Sequence, residues 1–159
     1  TASNNTAVGY QSLYSQSTGG AENTAVGYLA GYSNTAQTLC AIGSRAAYSN
    51  NTGTDNTAVG SYAPLYSNTS GSYNVAIGRQ ALYSNASANN NTAVGFQAGY
   101  TETTGSNNTF LGYQSGYSQN GGSSNVYVGY QAGYSTSTGY ANTFIGQGSG
   151  TSVTTGVIP

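Results

Sequence analysis

The phrase Asn-Thr-Ala-Val-Gly returns, intact or lightly varied, along almost the whole of this 159-residue chain. Aligned on their glycines, the copies end at Gly9, Gly27, Gly43, Gly60, Gly78, Gly95, Gly112, Gly129 and Gly146, with steps of 18, 16, 17 and 18 residues and then 17 four times. A repeat this short and this even cannot form an ordinary core inside one copy. It buries its apolar residues only against the neighbouring copies, which is the mark of a solenoid or similar array.

Each phrase reads as a short strand. The residue before the glycine is always aliphatic, from Val8 to Ile145, and two residues earlier stands threonine, valine or cysteine, from Thr6 to Thr143. Positions two apart share one strand face, and β-branched residues favour strands. These two columns are therefore expected to face inward. The column between them is then expected to point out, toward a neighbouring chain. It comprises Ala7, Ala25, Ala41, Ala58, Ala76 and Ala93, followed by Phe110, Tyr127 and Phe144. These nine residues are the candidate assembly interface, and the switch to aromatics predicts a wider gap or a different neighbour toward the C-terminal end.

After each glycine comes a second phrase, such as Tyr10–Ser15 or Tyr130–Ser135, with a small residue, then tyrosine two later, then serine or threonine. It predicts a second, shorter strand. Its tyrosines are Tyr14, Tyr32, Tyr48, Tyr66, Tyr83, Tyr100, Tyr117 and Tyr134. They form a ladder that either fills the roll or offers a platform to glycans. Gly, Asn, Ser and Thr then supply a turn before the next copy. Pro64 inserts one residue into its copy and predicts a bulge or bend. Asn5 and its equivalents, Asn23, Asn56, Asn74, Asn91, Asn108, Asn125 and Asn142, are expected to stack as an asparagine ladder.

The resulting expectation is an all-β chain: a parallel β-solenoid of about nine coils of about 17 residues, with two short strands per coil. Residues 1–150 form the repeat domain, and residues 151–159 are an irregular end or junction. With no charged start and no apolar leader after Thr1, the chain is expected to be a mature product or an excised fragment.

Chemistry is sparse. Charged residues make up 3% of the chain, against about 25% in a typical domain. The net charge of -1 gives no footprint for nucleic acid, and no segment is long and apolar enough to span a membrane. There is no histidine, the commonest general base. The carboxylates, Glu22, Asp55 and Glu102, fall in turn-like stretches of different copies, too far apart for an acid/base pair. No catalytic, metal or cofactor site is expected. Cys40 is expected to be a small core residue, and Arg45 and Arg79 to be solvated or paired with a neighbouring chain's acid. Asn4, Asn50, Asn68, Asn85, Asn90 and Asn107 open Asn-x-Ser/Thr sequons and are weak glycosylation candidates.

Asn-Val-Ala-Ile-Gly at residues 74–78 resembles the phrase that marks the head domains of trimeric autotransporter adhesins, the YadA-like heads. Strings such as Asn91–Ala98 are also similar to repeats of phage tail fibres and large bacterial surface proteins. The resemblance covers Asn5 to about Gly150 and implies a left-handed β-roll, a homotrimer and an extracellular role in attachment. The sequence departs from the adhesin heads in its longer repeat, in its tyrosine in nearly every copy, and in showing no heptad or neck. The leading expectation is a structural or adhesive extracellular fibre component that associates with itself as a trimer or filament. The alternatives are a tail-fibre shaft that binds surface glycans through the tyrosine column, and an ice-binding solenoid, which the predicted inward threonine column disfavours.

Overall fold

The computed structural model describes residues 3–16, 20–151 and 153; most of the predicted C-terminal junction, 151–159, lies outside them. The fold is all-β. Nine three-residue strands follow in chain order: β1 (Thr6–Val8), β2 (Thr24–Val26), β3 (Cys40–Ile42), β4 (Thr57–Val59), β5 (Val75–Ile77), β6 (Thr92–Val94), β7 (Thr109–Leu111), β8 (Val126–Val128) and β9 (Thr143–Ile145). They make one parallel sheet in the order β1 to β9, so the chain winds a β-solenoid of about eight turns. Among the described residues there is no helix, and hence none long and apolar enough to cross a membrane.

The register is the repeat itself. Equivalent residues pair throughout, Thr24 with Cys40 and Ala93 with Phe110 among them. The glycine closing each strand explains why slippage is excluded. At Gly27 φ is +137°, and a Cβ there would lie 2.5 Å from the carbonyl oxygen of Gly43 in the next coil. Only glycine permits both that conformation and that approach.

The second phrase is not a strand, and here the structure corrects the sequence reading. Positive φ recurs at every second residue, as at Gln11 (50°) and Leu13 (49°), in place of the extended values a strand requires. The segment is an arc of turns that still bonds from coil to coil: the N–H of Leu13 donates to the carbonyl of Ala30 at 3.0 Å and that of Leu29 to Tyr10 at 2.9 Å. Left-handed non-glycine residues cost on the order of 1 kcal/mol each. The stack repeats the same geometry in every coil, so neighbouring arcs hold one another in it.

Two columns of buried amides pin the turns. Asn23, Asn56, Asn74, Asn91, Asn108, Asn125 and Asn142 are almost wholly buried. The ladder expected from the sequence is present, with a more exacting pattern than amide on amide. The side-chain oxygen accepts the backbone N–H of the next coil, as Asn91 Oδ1 does from Asn108 at 2.9 Å, while Nδ2 donates to a turn carbonyl, as in Asn91 to Gly105 at 2.8 Å. Where the third copy lacks its asparagine, Leu39 stands instead and still donates its N–H to Asn23 Oδ1 at 2.8 Å. A second column, which the sequence reading passed over, follows the tyrosines: Asn34, Asn50, Asn68 and Asn85, each bonded to the next, with Asn50 Nδ2 to Asn34 Oδ1 at 2.7 Å.

Candidate functional site

The strand faces are the reverse of those expected. Ala25, Ala41, Ala58, Ala76 and Ala93 are 0% exposed, as are Phe110 and Tyr127, and Phe144 is 7% exposed. Ala7 is exposed because β1 is the end strand of the sheet. Eight of the nine residues assigned to an interface therefore belong to the core. The physical reason is width. A three-residue strand facing a tight arc leaves room for one inward side chain per coil, and that side chain is the central one. The flanking residues point away: Val8 is 57% exposed, Ile145 70%, and Ile42, Ile77 and Leu111 are also exposed. Val26, Val59, Val94 and Val128 are half-buried beside them, as are Thr24, Thr57, Thr92 and Thr109 in the companion column. Cys40 belongs to that outer column as a half-buried free thiol and is not a core residue.

The outer face of the sheet is thus a narrow strip of aliphatic and threonine side chains, nine rungs long and without a charge. At about 4.8 Å per rung it spans on the order of 40 Å. Contiguous apolar surface of this kind marks association sites more often than idle surface.

The eight tyrosines from Tyr14 to Tyr134 form one uninterrupted stack on the arc wall, with neighbouring ring centroids 5.0–5.2 Å apart and rings nearly parallel. Tyr14, at the end, is exposed; the others are half-buried. Neither simple expectation describes them. They do not fill the roll, since alanines and leucines do. Nor do they form an open platform, since each ring covers its neighbour's face and presents its edge to solvent.

The remaining candidates divide in the same way. Asn50, Asn68 and Asn85 are buried in the second amide column, so their sequons are closed to glycosylation in the folded coil; Asn4, Asn90 and Asn107 are exposed. Glu22 and Asp55 are exposed, just before strands β2 and β4. Arg45 and Arg79 lie over rings, with Arg45 Cζ 5.4 Å from the Tyr28 centroid and Arg79 Cζ 4.8 Å from that of Tyr62. Among the described residues, no three cysteine or acidic side chains gather as a metal site.

Glu102 departs from the expected solvated turn residue. It is 0% exposed and occupies the second amide column in the coil that begins with β6. One oxygen, Oε1, accepts backbone N–H groups from Gly105 at 2.5 Å, Gly121 at 3.0 Å and Thr104 at 3.2 Å. The other, Oε2, has no partner, and neither has Oδ1 of Asn85 in the coil before. Burial raises the carboxyl above its usual range, against the lowering effect of those backbone bonds. A protonated Glu102 supplies the O–H that an amide would have supplied to the column. The signal in the sequence was the alignment of Glu102 with Asn85, Asn68 and Asn50, one residue after the Tyr-Ser/Thr pair.

Comparison with family models, with curated proteins and with solved structures finds no match for this chain.

Proposed function

We propose that this chain is a structural or adhesive component of an extracellular fibre, one that works by associating with further copies of itself, as a trimer or filament, and performs no catalysis. The observation that carries the reading is the uncharged aliphatic strip on the outer face of the sheet. Nine rungs of Val, Ile and Leu beside Thr leave water most readily against another such strip. The left-handed winding and the count of nine coils implied by the repeat and its resemblance belong to the same proposal. The test is light scattering coupled to size exclusion on the purified chain, with no other protein present, at micromolar concentration. A trimer or larger assembly is expected, and a stable monomer overturns the reading.

Ice binding gains ground from the reversal of the strand faces. The threonine column, expected in the core, lies on the outer face at regular spacing, interrupted by Cys40, Val75 and Val126. Thermal hysteresis in a nanolitre osmometer tests it. Glycan contact through the tyrosine column, the remaining alternative, would have to use ring edges and hydroxyls, because the faces are stacked.

A further inference from the structure

The coil that begins with β4 is the one irregular arc. Six steps separate Gly60 from Tyr66, where five separate Gly78 from Tyr83, and the extra length contains Pro64. The chain absorbs it with two consecutive left-handed residues, Tyr62 (φ 66°) and Ala63 (φ 63°), instead of the alternation seen elsewhere. This costs the coil its place in a third ladder. On the arc, Gln131 Nε2 donates to Gln114 Oε1 at 3.0 Å, Gln114 to Gln97 at 2.9 Å, and Gln97 to Gln80 at 3.0 Å. The ladder stops at Gln80, because the bulged coil has no glutamine to continue it. No described residue accepts a hydrogen bond from Gln80 Nε2.

A recess of about 190 Å³ opens where the ladder stops, lined by Arg45, Tyr62, Ala63, Tyr66, Gln80 and Tyr83. The chain has two basic residues in all, and both lie at this bulge. They do different things. Arg79 takes a ring's place in an aromatic row, with Tyr62 on one side at 4.8 Å and Phe96 on the other at 5.8 Å, and so braces the bulge. Arg45 lies over the Tyr28 ring at 5.4 Å and also forms part of the recess wall itself. It makes no ion pair with a described residue, and no acid lines the wall. The wall therefore brings together an arginine, a glutamine whose amide N–H is unanswered, and Tyr66 and Tyr83, with no carboxylate among them.

We propose that this recess binds a small organic carboxylate, with Arg45 as its principal contact and Gln80 Nε2 as a second donor. A carboxylate matches the planar fork of a guanidinium with two parallel bonds. The volume lies below the roughly 300–1,000 Å³ of drug-sized sites, so the occupant is a single small acid and not a chain. Bulges often re-aim side chains at binding sites, and the one irregular arc of the stack is where such a site is to be sought.

The experiment is an NMR titration of the assembled protein, following the Arg45 side-chain N–H and the Gln80 side-chain amide. Sodium glucuronate is the probe, and methyl glucoside at matched sodium chloride is the neutral control. Glucuronate is expected to give saturable shifts at both groups, and the glucoside none. Arg45→Gln is expected to weaken the response at Gln80 by tenfold or more. Gln80→Leu, which keeps the charge, should weaken the response at Arg45 by a smaller factor. Deleting Pro64 to restore the regular spacing should abolish binding with the fold intact by circular dichroism. Absent saturation, equal shifts with the glucoside, or an unchanged response in Arg45→Gln each overturn the proposal. None of these results bears on self-association, since the recess lies on the arc wall and not on the strand face.

Discussion

The coils at the two ends of the molecule fill the same interior from opposite walls. Toward the N-terminus the strand contributes alanine and the arc contributes bulk: Leu13, Leu65 and Leu82 are buried against Ala25, Ala58 and Ala76 in one core. Toward the C-terminus the strand contributes Phe110, Tyr127 and Phe144, and the arc retreats to glycine. A Cβ on Gly116 would run into the Phe110 ring, one on Gly133 into Tyr127, and one on Gly150 into Phe144. The exchange also explains Leu39. The arc of the coil before it carries Gly31, and a Cβ added there would approach Leu39 and Leu13. Core volume is thus exchanged between the two walls and across coil boundaries: in the coil of Ala93 and Gly99 both walls are small, and Phe110 of the next coil and Leu82 of the one before fill the space at Gly99.

The polar column differs between the same two regions. Asparagine fills it from Asn34 to Asn85, whereas Glu102, Gln119 and Thr136 follow. The aromatic strand centre reaches this column directly, because the Tyr127 hydroxyl donates to Gln119 Oε1 at 3.2 Å. Glu102 stands at the boundary between the two regimes, in the last coil whose strand centre is alanine.

The largest test of this comparison is Phe110→Ala. It should cost about 3–5 kcal/mol, read from denaturant midpoints, because no leucine stands on the arc to fill the void. Adding Gly116→Leu to that variant should recover part of the loss, whereas Gly116→Leu alone should destabilise through overpacking and its φ of +62°. Additive losses would break the volume-exchange account. Asn91→Ala, in the ladder that both regions share, should cost about 1–3 kcal/mol, since it strands the N–H of Asn108 and the carbonyl of Gly105.

Glu102 sharpens the boundary through pH. Its carboxyl is raised in the folded state, so between the unfolded value near 4.5 and the raised folded value the native protein holds the extra proton. Stability therefore falls as pH rises through that window and stays lower above it. Glu102→Gln should flatten this dependence and raise the midpoint at neutral pH; an unchanged slope would place the titration elsewhere. Tyr127, pushed up to about 12 by burial, gives a second fall as pH rises above its ordinary value of 10.0, absent in Tyr127→Phe. The smallest expected effect on stability is Val94→Lys on the outer face, within about 0.5 kcal/mol. The same variant should abolish assembly, read by light scattering.

The repeat made much of this legible. Glycine corners, strand positions, register and the Asn91-type ladder all follow from the spacing of the phrase. The faces did not, because alternation alone says which residues share a face and not which face is inside. β-Branched flanks suggest a core, but the decisive sign is in the alignment: the strand centre is aromatic in the last three coils, where the arc carries Gly116, Gly133 and Gly150. Only side chains sharing an interior compensate in this way. The arc was mistaken for a strand because Leu13 and Leu82 at left-handed φ run against residue preference, and the stacked neighbours, not the residues themselves, enforce that conformation.

Which strand face is inside can be read with a thiol. In a Cys40→Ser background, Ala58→Cys and Val59→Cys place single cysteines on adjacent residues of β4. With assembly blocked by Val94→Lys, Cys at the half-buried position 59 is expected to react with a maleimide in the native chain far faster than Cys at 58, which is protected by orders of magnitude. Rapid labelling at 58 with protection at 59 would contradict the inward alanine column and the account built on it.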